Sequence, residues 1–159
     1  MKRRIRIIIG SIILVIIVVL VWQHYKAERR QAEWEVLMAR GIGECIVSTM
    51  FVYAEEHDNH LPPFNGWRKS IKPYLMRPPM DDLTRMRVID GLPYYDYSKE
   101  IAGKDCSKML SDETIVLTRT RGLPRGTKIE VYLDGLGRIT RPPPPFWKRW
   151  FRRTACPYQ

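Results

Sequence analysis

Ile7-Ile8-Ile9-Gly10-Ser11-Ile12-Ile13-Leu14-Val15-Ile16-Ile17-Val18-Val19-Leu20-Val21-Trp22 contains no charged residue, and its reading decides the fold. A bilayer core is about 30 Å thick, which this run crosses as a helix when Ile5 and a snorkelling Arg6 are counted with it. Nothing between Gln23 and Glu33 breaks a helix, and the Ala, Glu, Arg and Gln found there favour one. The helix is therefore expected to run on to about His57. In its second part Trp34, Met38, Ile42, Cys45, Thr49 and Val52 recur at spacings of three and four, which predicts an apolar stripe in need of a cover.

The net charge of +10 suggests nucleic acid until it is divided along the chain. Residues 1–30 hold seven Lys/Arg and one acid, residues 31–140 fifteen and sixteen, and residues 141–159 five and none. Basicity sits at the two ends, whereas a groove that tracks phosphate needs its cations on the folded surface. No nucleic-acid partner is expected. Lys2, Arg3, Arg4 and Arg6 precede the apolar run and Lys26, Arg29 and Arg30 follow it, a bias that places residues 1–6 in the cytoplasm and the domain outside. Val21-Trp22-Gln23-His24 lacks the small-x-small pattern of a signal-peptidase site, so residues 7–22 read as an uncleaved anchor in the inner membrane.

Past the helix, Leu61-Pro62-Pro63 forbids its continuation. Trp67, Ile71, Tyr74 and Leu75 share one face of a short second helix, with Trp67 and Tyr74 expected in the core. Residues 77–82 read as a proline-marked loop, Gly91 and Pro93 as a turn, and Tyr94-Tyr95-Asp96-Tyr97 as a short edge strand that could also offer rings for stacking. Residues 114–120 and the cleanly alternating Ile129-Glu130-Val131-Tyr132-Leu133 predict a hairpin. Asp134-Gly135-Leu136-Gly137 then turns into a last strand at residues 138–140. The fold class expected is α+β: a long N-terminal helix, half transmembrane and half amphipathic, packed on a small antiparallel sheet through Ile129, Val131 and Leu133.

Cys45 falls on the apolar stripe and reads as a small buried hydrophobe. Cys106 and Cys156 could pair in an oxidising compartment, without framework spacing to require it. His57, Asp58 and His60 read as the polar end of a helix, and no zinc-type spacing is present, so neither a metal nor a cofactor is expected.

Tyr53-Ala54-Glu55-Glu56-His57-Asp58-Asn59-His60-Leu61-Pro62 resembles the helix end and Leu-Pro exit of many prepilin-like proteins. Trp67 with Pro73-Tyr74-Leu75 resembles the segment that follows in them, and Val131-Tyr132-Leu133-Asp134-Gly135 their final strand and turn. Over about residues 5–140 the chain thus resembles the bacterial pseudopilins and pilin-like proteins, of the type II secretion kind. It lacks their Gly-Phe-Thr-Leu-x-Glu type processing site, carrying Lys2-Arg3-Arg4-Ile5-Arg6-Ile7 before the apolar run. The resemblance implies a periplasmic pilin-like domain over residues 23–140 and partners among other pilin-like or envelope proteins.

No Gly-x-Ser-x-Gly, phosphate loop or His-Glu-x-x-His is present. The function expected is therefore non-catalytic, in envelope assembly, secretion or protein interaction, with no small-molecule substrate. The alternative is a membrane-anchored binding module for an envelope glycan or anionic lipid. The candidate site is the tail, residues 141–159, where a proline spacer leads to Phe146, Trp147, Lys148, Arg149, Trp150, Phe151, Arg152 and Arg153. Aromatics interleaved with cations at helical spacing describe a contact with the membrane surface.

Overall fold

The computed structural model describes residues 2–77, 80–110 and 112–142, with side chains from Ile12 onward. The chain divides into two compact units, Met1–Met38 and Ala39–Gln159, and the helix α1 (Lys2–Glu55) contributes to both.

In the first unit every side chain from Ile12 to Trp22 is exposed. The helix near the N-terminus is long and apolar enough to cross a membrane. The following turns are held by pairs one turn apart: His24–Glu28 at 3.3 Å, Arg29–Glu33 at 3.4 Å and Gln31–Glu35 at 3.3 Å. Such pairs contribute about 0.2–0.5 kcal/mol each on a solvated helix, which this stretch needs because it offers water a polar surface.

The second unit is built on the rest of α1. Four strands, β1 (Asp96–Tyr97), β2 (Ile115–Arg119), β3 (Lys128–Tyr132) and β4 (Gly137–Thr140), form an antiparallel sheet in the order β1-β2-β3-β4. Thr118 pairs with Asp96 on one side and Glu130 on the other, and Glu130 pairs with Arg138, so these four mark one face. Tyr97, Leu117, Ile129 and Val131 mark the opposite face and are buried, Val131 against α1 at Gly43 and Tyr97 against Trp67. A long N-terminal helix packed on a small four-stranded antiparallel sheet is the α+β arrangement predicted, and Ile129, Val131 and Leu133 lie in its core.

The stripe predicted on α1 is not the face the sheet covers. Trp34 and Val52 are exposed, Met38, Ile42 and Cys45 are half-buried, and Thr49 alone of the six is buried. Covered instead are Ala39, Gly43, Ile46, Val47, Met50 and Ala54. The reason lies in Gly43: a Cβ there would stand 2.7 Å from Val131 Cγ2 and 2.9 Å from Tyr95 Cε1. A helix this close to a sheet presents its smallest residues, and hydrophobic weight alone ranks those low.

Helix α1 ends where Asp58 and Asn59 take left-handed conformations (φ 52° and 61°) and the Asn59 N–H donates back to Ala54 O at 2.9 Å, as in a helix C-cap. Helix α2 (Trp67–Leu75) falls where predicted, burying Trp67, Ile71 and Leu75, while Tyr74 is half-exposed. The sequence reading missed helix α3 (Asp82–Gly91). Its signal was Asp81-Asp82-Leu83-Thr84, since the Asp81 carboxylate accepts from the Thr84 N–H at 3.0 Å and caps the first turn. Buried Val88 anchors α3, and Gly91 lets Ile42 approach to 2.8 Å of where a Cβ would be.

Gly135 has φ +81° in the turn between β3 and β4, Asp134 accepting there from the Leu136 N–H at 2.8 Å. Nothing stands within 4 Å of a Cβ at Gly135, so the cost of a side chain is conformational alone. Gly135→Val is expected to lower stability by about 1–3 kcal/mol, read as a fall in melting temperature. An unchanged melting temperature would remove the turn from the account of this position.

Candidate functional site

Two surfaces stand out among the described residues. The first is a groove of about 370 Å³ between the sheet-distal face of α1 and the facing ends of α2 and α3. Cys45, Ser48, Thr49 and Val52 of α1 form its floor, with Tyr74 and Arg77 on one wall and Met80, Asp81 and Thr84 on the other. Val52, Met76, Leu83 and Met86 are exposed apolar side chains of these same elements. Met80 is the one methionine in the lining, and its unbranched, polarizable side chain adapts to partners of different shape. Thr49 donates its hydroxyl to Cys45 O at 2.8 Å. Burial, and then the nearby Glu44 carboxylate, push the Cys45 thiol up, which leaves it protonated at neutral pH and a weak nucleophile.

At one end of the groove the Arg77 guanidinium pairs with Glu56, whose carboxylate also accepts from the Tyr74 hydroxyl at 3.0 Å. Those two partners hold the Glu56 carboxyl below the usual carboxylate range. Arg77 lies 4.4 Å over the Tyr74 ring, Tyr74 meets Tyr53 edge-on at 5.5 Å, and His57 stacks on Tyr53 at 3.8 Å. His57 Nδ1 is 2.8 Å from Tyr53 O and His60 Nδ1 2.8 Å from Asp58 O, so each ring is oriented by its own helix end.

The second surface is a cleft of about 700 Å³ on the other side of the sheet. Asp96, Thr114 and Thr118 come from β1 and β2 and their margins, while Glu100, Ile101, Lys104, Met109, Leu110 and Glu113 come from the segment that joins the two strands. The cap of that segment is Asp105, whose carboxyl is pushed down to about 2 by hydrogen bonds from Ser107 and then by Lys108.

Of the three tyrosines predicted in an edge strand, Tyr97 alone lies in β1 and Tyr94 closes a 3-10 turn over Leu92–Tyr94; Tyr95 and Tyr97 are core residues and only Tyr94 is exposed. Tyr95 donates to Ala39 O and Tyr97 to Pro62 O at 3.0 Å, and burial pushes both hydroxyls up. Two of the three rings are thus closed to an outside ligand. The tail residues Phe146, Trp147, Lys148, Arg149, Trp150, Phe151, Arg152 and Arg153 lie outside the described residues, as does Cys156 with its pairing to Cys106. Both surfaces escaped the sequence reading because each is composite: the groove joins stretches as far apart as Cys45 and Thr84, and the cleft joins two strands with the irregular segment between them.

No family model matches the chain, and no curated protein or solved structure matches it at a significant level.

Proposed function

We propose that the chain is a single-pass inner-membrane protein with residues 1–6 in the cytoplasm, an anchor at residues 7–22 and an extracytoplasmic pilin-like domain over residues 23–140. It acts without catalysis, by assembling with other pilin-like or envelope proteins. One observation carries this reading: the same helix that packs on the sheet holds, towards its N-terminus, a stretch from Ile12 to Trp22 whose apolar side chains are all exposed. In water that stretch would be a large apolar liability, whereas in lipid it is an anchor. The groove over Cys45, Val52 and Met80 adds an adaptable surface suited to a protein helix. A glycan-binding role has less to draw on, since Tyr94 is the one exposed ring among Tyr94, Tyr95 and Tyr97. Chemical crosslinking of membranes followed by native electrophoresis of the detergent extract is expected to show the chain in complexes with itself or other envelope proteins. Recovery solely as a monomer, at any crosslinker concentration, would refute the assembly role.

A further inference from the structure

The cleft on the outer face of the sheet has a chemistry that the assembly role leaves unused. Asp96, Glu100 and Glu113 stand around it, all exposed, and among the described residues none of the three forms an ion pair. Lys104 is the one cation in its lining. Ile101, Met109 and Leu110 share the lining with the carboxylates, and Leu110, at 68 % exposure, is the barest large apolar side chain among the described residues. Apolar side chains and unpaired carboxylates lining one cleft fit a segment that alternates aromatic and cationic side chains.

We propose that this cleft is the receptor for the chain's own C-terminal segment, Phe146 to Arg153. That segment carries four cations, no acid and four aromatic rings. Lys148, Arg149, Arg152 and Arg153 meet the carboxylates, and the rings of Phe146, Trp147, Trp150 and Phe151 cover Leu110 and Met109.

Reach supports the pairing. Pro142 packs over Gly126, where a Cβ would be 3.0 Å from Pro142 Cγ, so the chain leaves the described fold beside the start of β3. Thr140 pairs with Lys128 while Thr118, in the cleft wall, pairs with Glu130. Pro142 stands two residues beyond Thr140, so two strand spacings of about 4.8 Å across and four residues of about 3.3 Å along separate it from Thr118, roughly 16 Å in all. Pro142 to Trp147 is five residues, and at about 3.1 Å each they cover the same distance. Trp147 therefore arrives at the Asp96–Thr118 end of the cleft. The contact is internal to one chain, and so holds or fails independently of whether the protein assembles.

Lys148 is the one lysine beyond Arg141, which makes a zero-length crosslink specific. The full chain, in lipid nanodiscs, is treated with a carbodiimide, which joins a lysine amine to a carboxylate as an amide with loss of water, and is then digested for mass spectrometry. The expected product is a monomer in which Lys148 is bonded to Asp96, Glu100 or Glu113, in discs of neutral lipid and in discs containing anionic lipid alike. Reversing two tail charges, Arg149→Glu with Arg152→Glu, is expected to cut its yield roughly tenfold. Lys108–Asp105, 2.9 Å apart, serves as the internal control. If the control pair links while Lys148 reaches no cleft carboxylate, or links only between two copies, the proposal is overturned. Loss of the product in anionic discs alone assigns the tail to the membrane and overturns it equally.

Discussion

Replacing Ile46 by alanine is expected to lower the unfolding free energy by about 2–5 kcal/mol, the range for a large aliphatic side chain removed from a packed core. Ile46 is fully buried, as are Met50 one turn on and Ile129 and Val131 of the sheet. The cavity left behind cannot collapse easily, because α1 is already held close to the sheet at Gly43. A domain of this size is stable by about 5–15 kcal/mol, so the loss would be a large share of the total. Val52→Ala, on the exposed face of the same helix, is expected to stay within about 0.5 kcal/mol. The measurement is thermal unfolding of the full chain in detergent, followed by circular dichroism with both variants side by side. Equal melting temperatures would return the buried face of α1 to the stripe through Cys45 and Val52.

The contrast between those two variants shows where sequence reading succeeds and where it stops. The sheet was legible because Ile129-Glu130-Val131-Tyr132-Leu133 alternates with a period of two, and the burial of β3 follows that alternation residue by residue. The turn at Asp134-Gly135 was legible because few residues tolerate φ near +80°. For α1 the period was right but the phase was not. Cys45, Ile46, Val47, Thr49, Met50, Phe51 and Val52 give that part of the helix apolar residues on most of its circumference. One face meets the sheet and another borders the groove against α2 and α3, so a single stripe drawn through the largest residues has no unique answer. Helix α3 was lost for a different reason: Asp82-Leu83-Thr84-Arg85-Met86-Arg87 has no apolar periodicity, and Leu83 and Met86 are exposed. Its existence depends on the Asp81 cap and on Val88, a capping signal that outweighs periodicity in a helix of ten residues. The cleft and the groove are composite surfaces, which local spacing cannot reveal.

Gly43→Val is expected to be as damaging as the loss of Ile46, although it adds atoms instead of removing them. The new Cβ would lie 2.7 Å from Val131 Cγ2 and 2.9 Å from Tyr95 Cε1, well inside van der Waals contact. Neither neighbour can step aside: Val131 is in a central strand, paired with both Leu117 and Gly137, and the Tyr95 hydroxyl is tied to Ala39 O on α1 itself. Relief requires the helix to lift off the sheet, which would expose Ile46 and Met50 together. Overpacking of this kind costs about 1–3 kcal/mol, and a branched side chain at the tightest contact belongs at the upper end. Gly41 supplies the control, two residues away on the same helix with nothing within 4 Å of its would-be Cβ. There Gly41→Ala removes only the flexibility of the unfolded chain and is expected to stabilise by about 0.4–1 kcal/mol. Unfolding midpoints that move in opposite directions for the two substitutions are the expected result. A Gly43→Val protein as stable as the parent would mean that α1 does not lie this close to Val131 and Tyr95, and the fitted face of the helix would have to be redrawn.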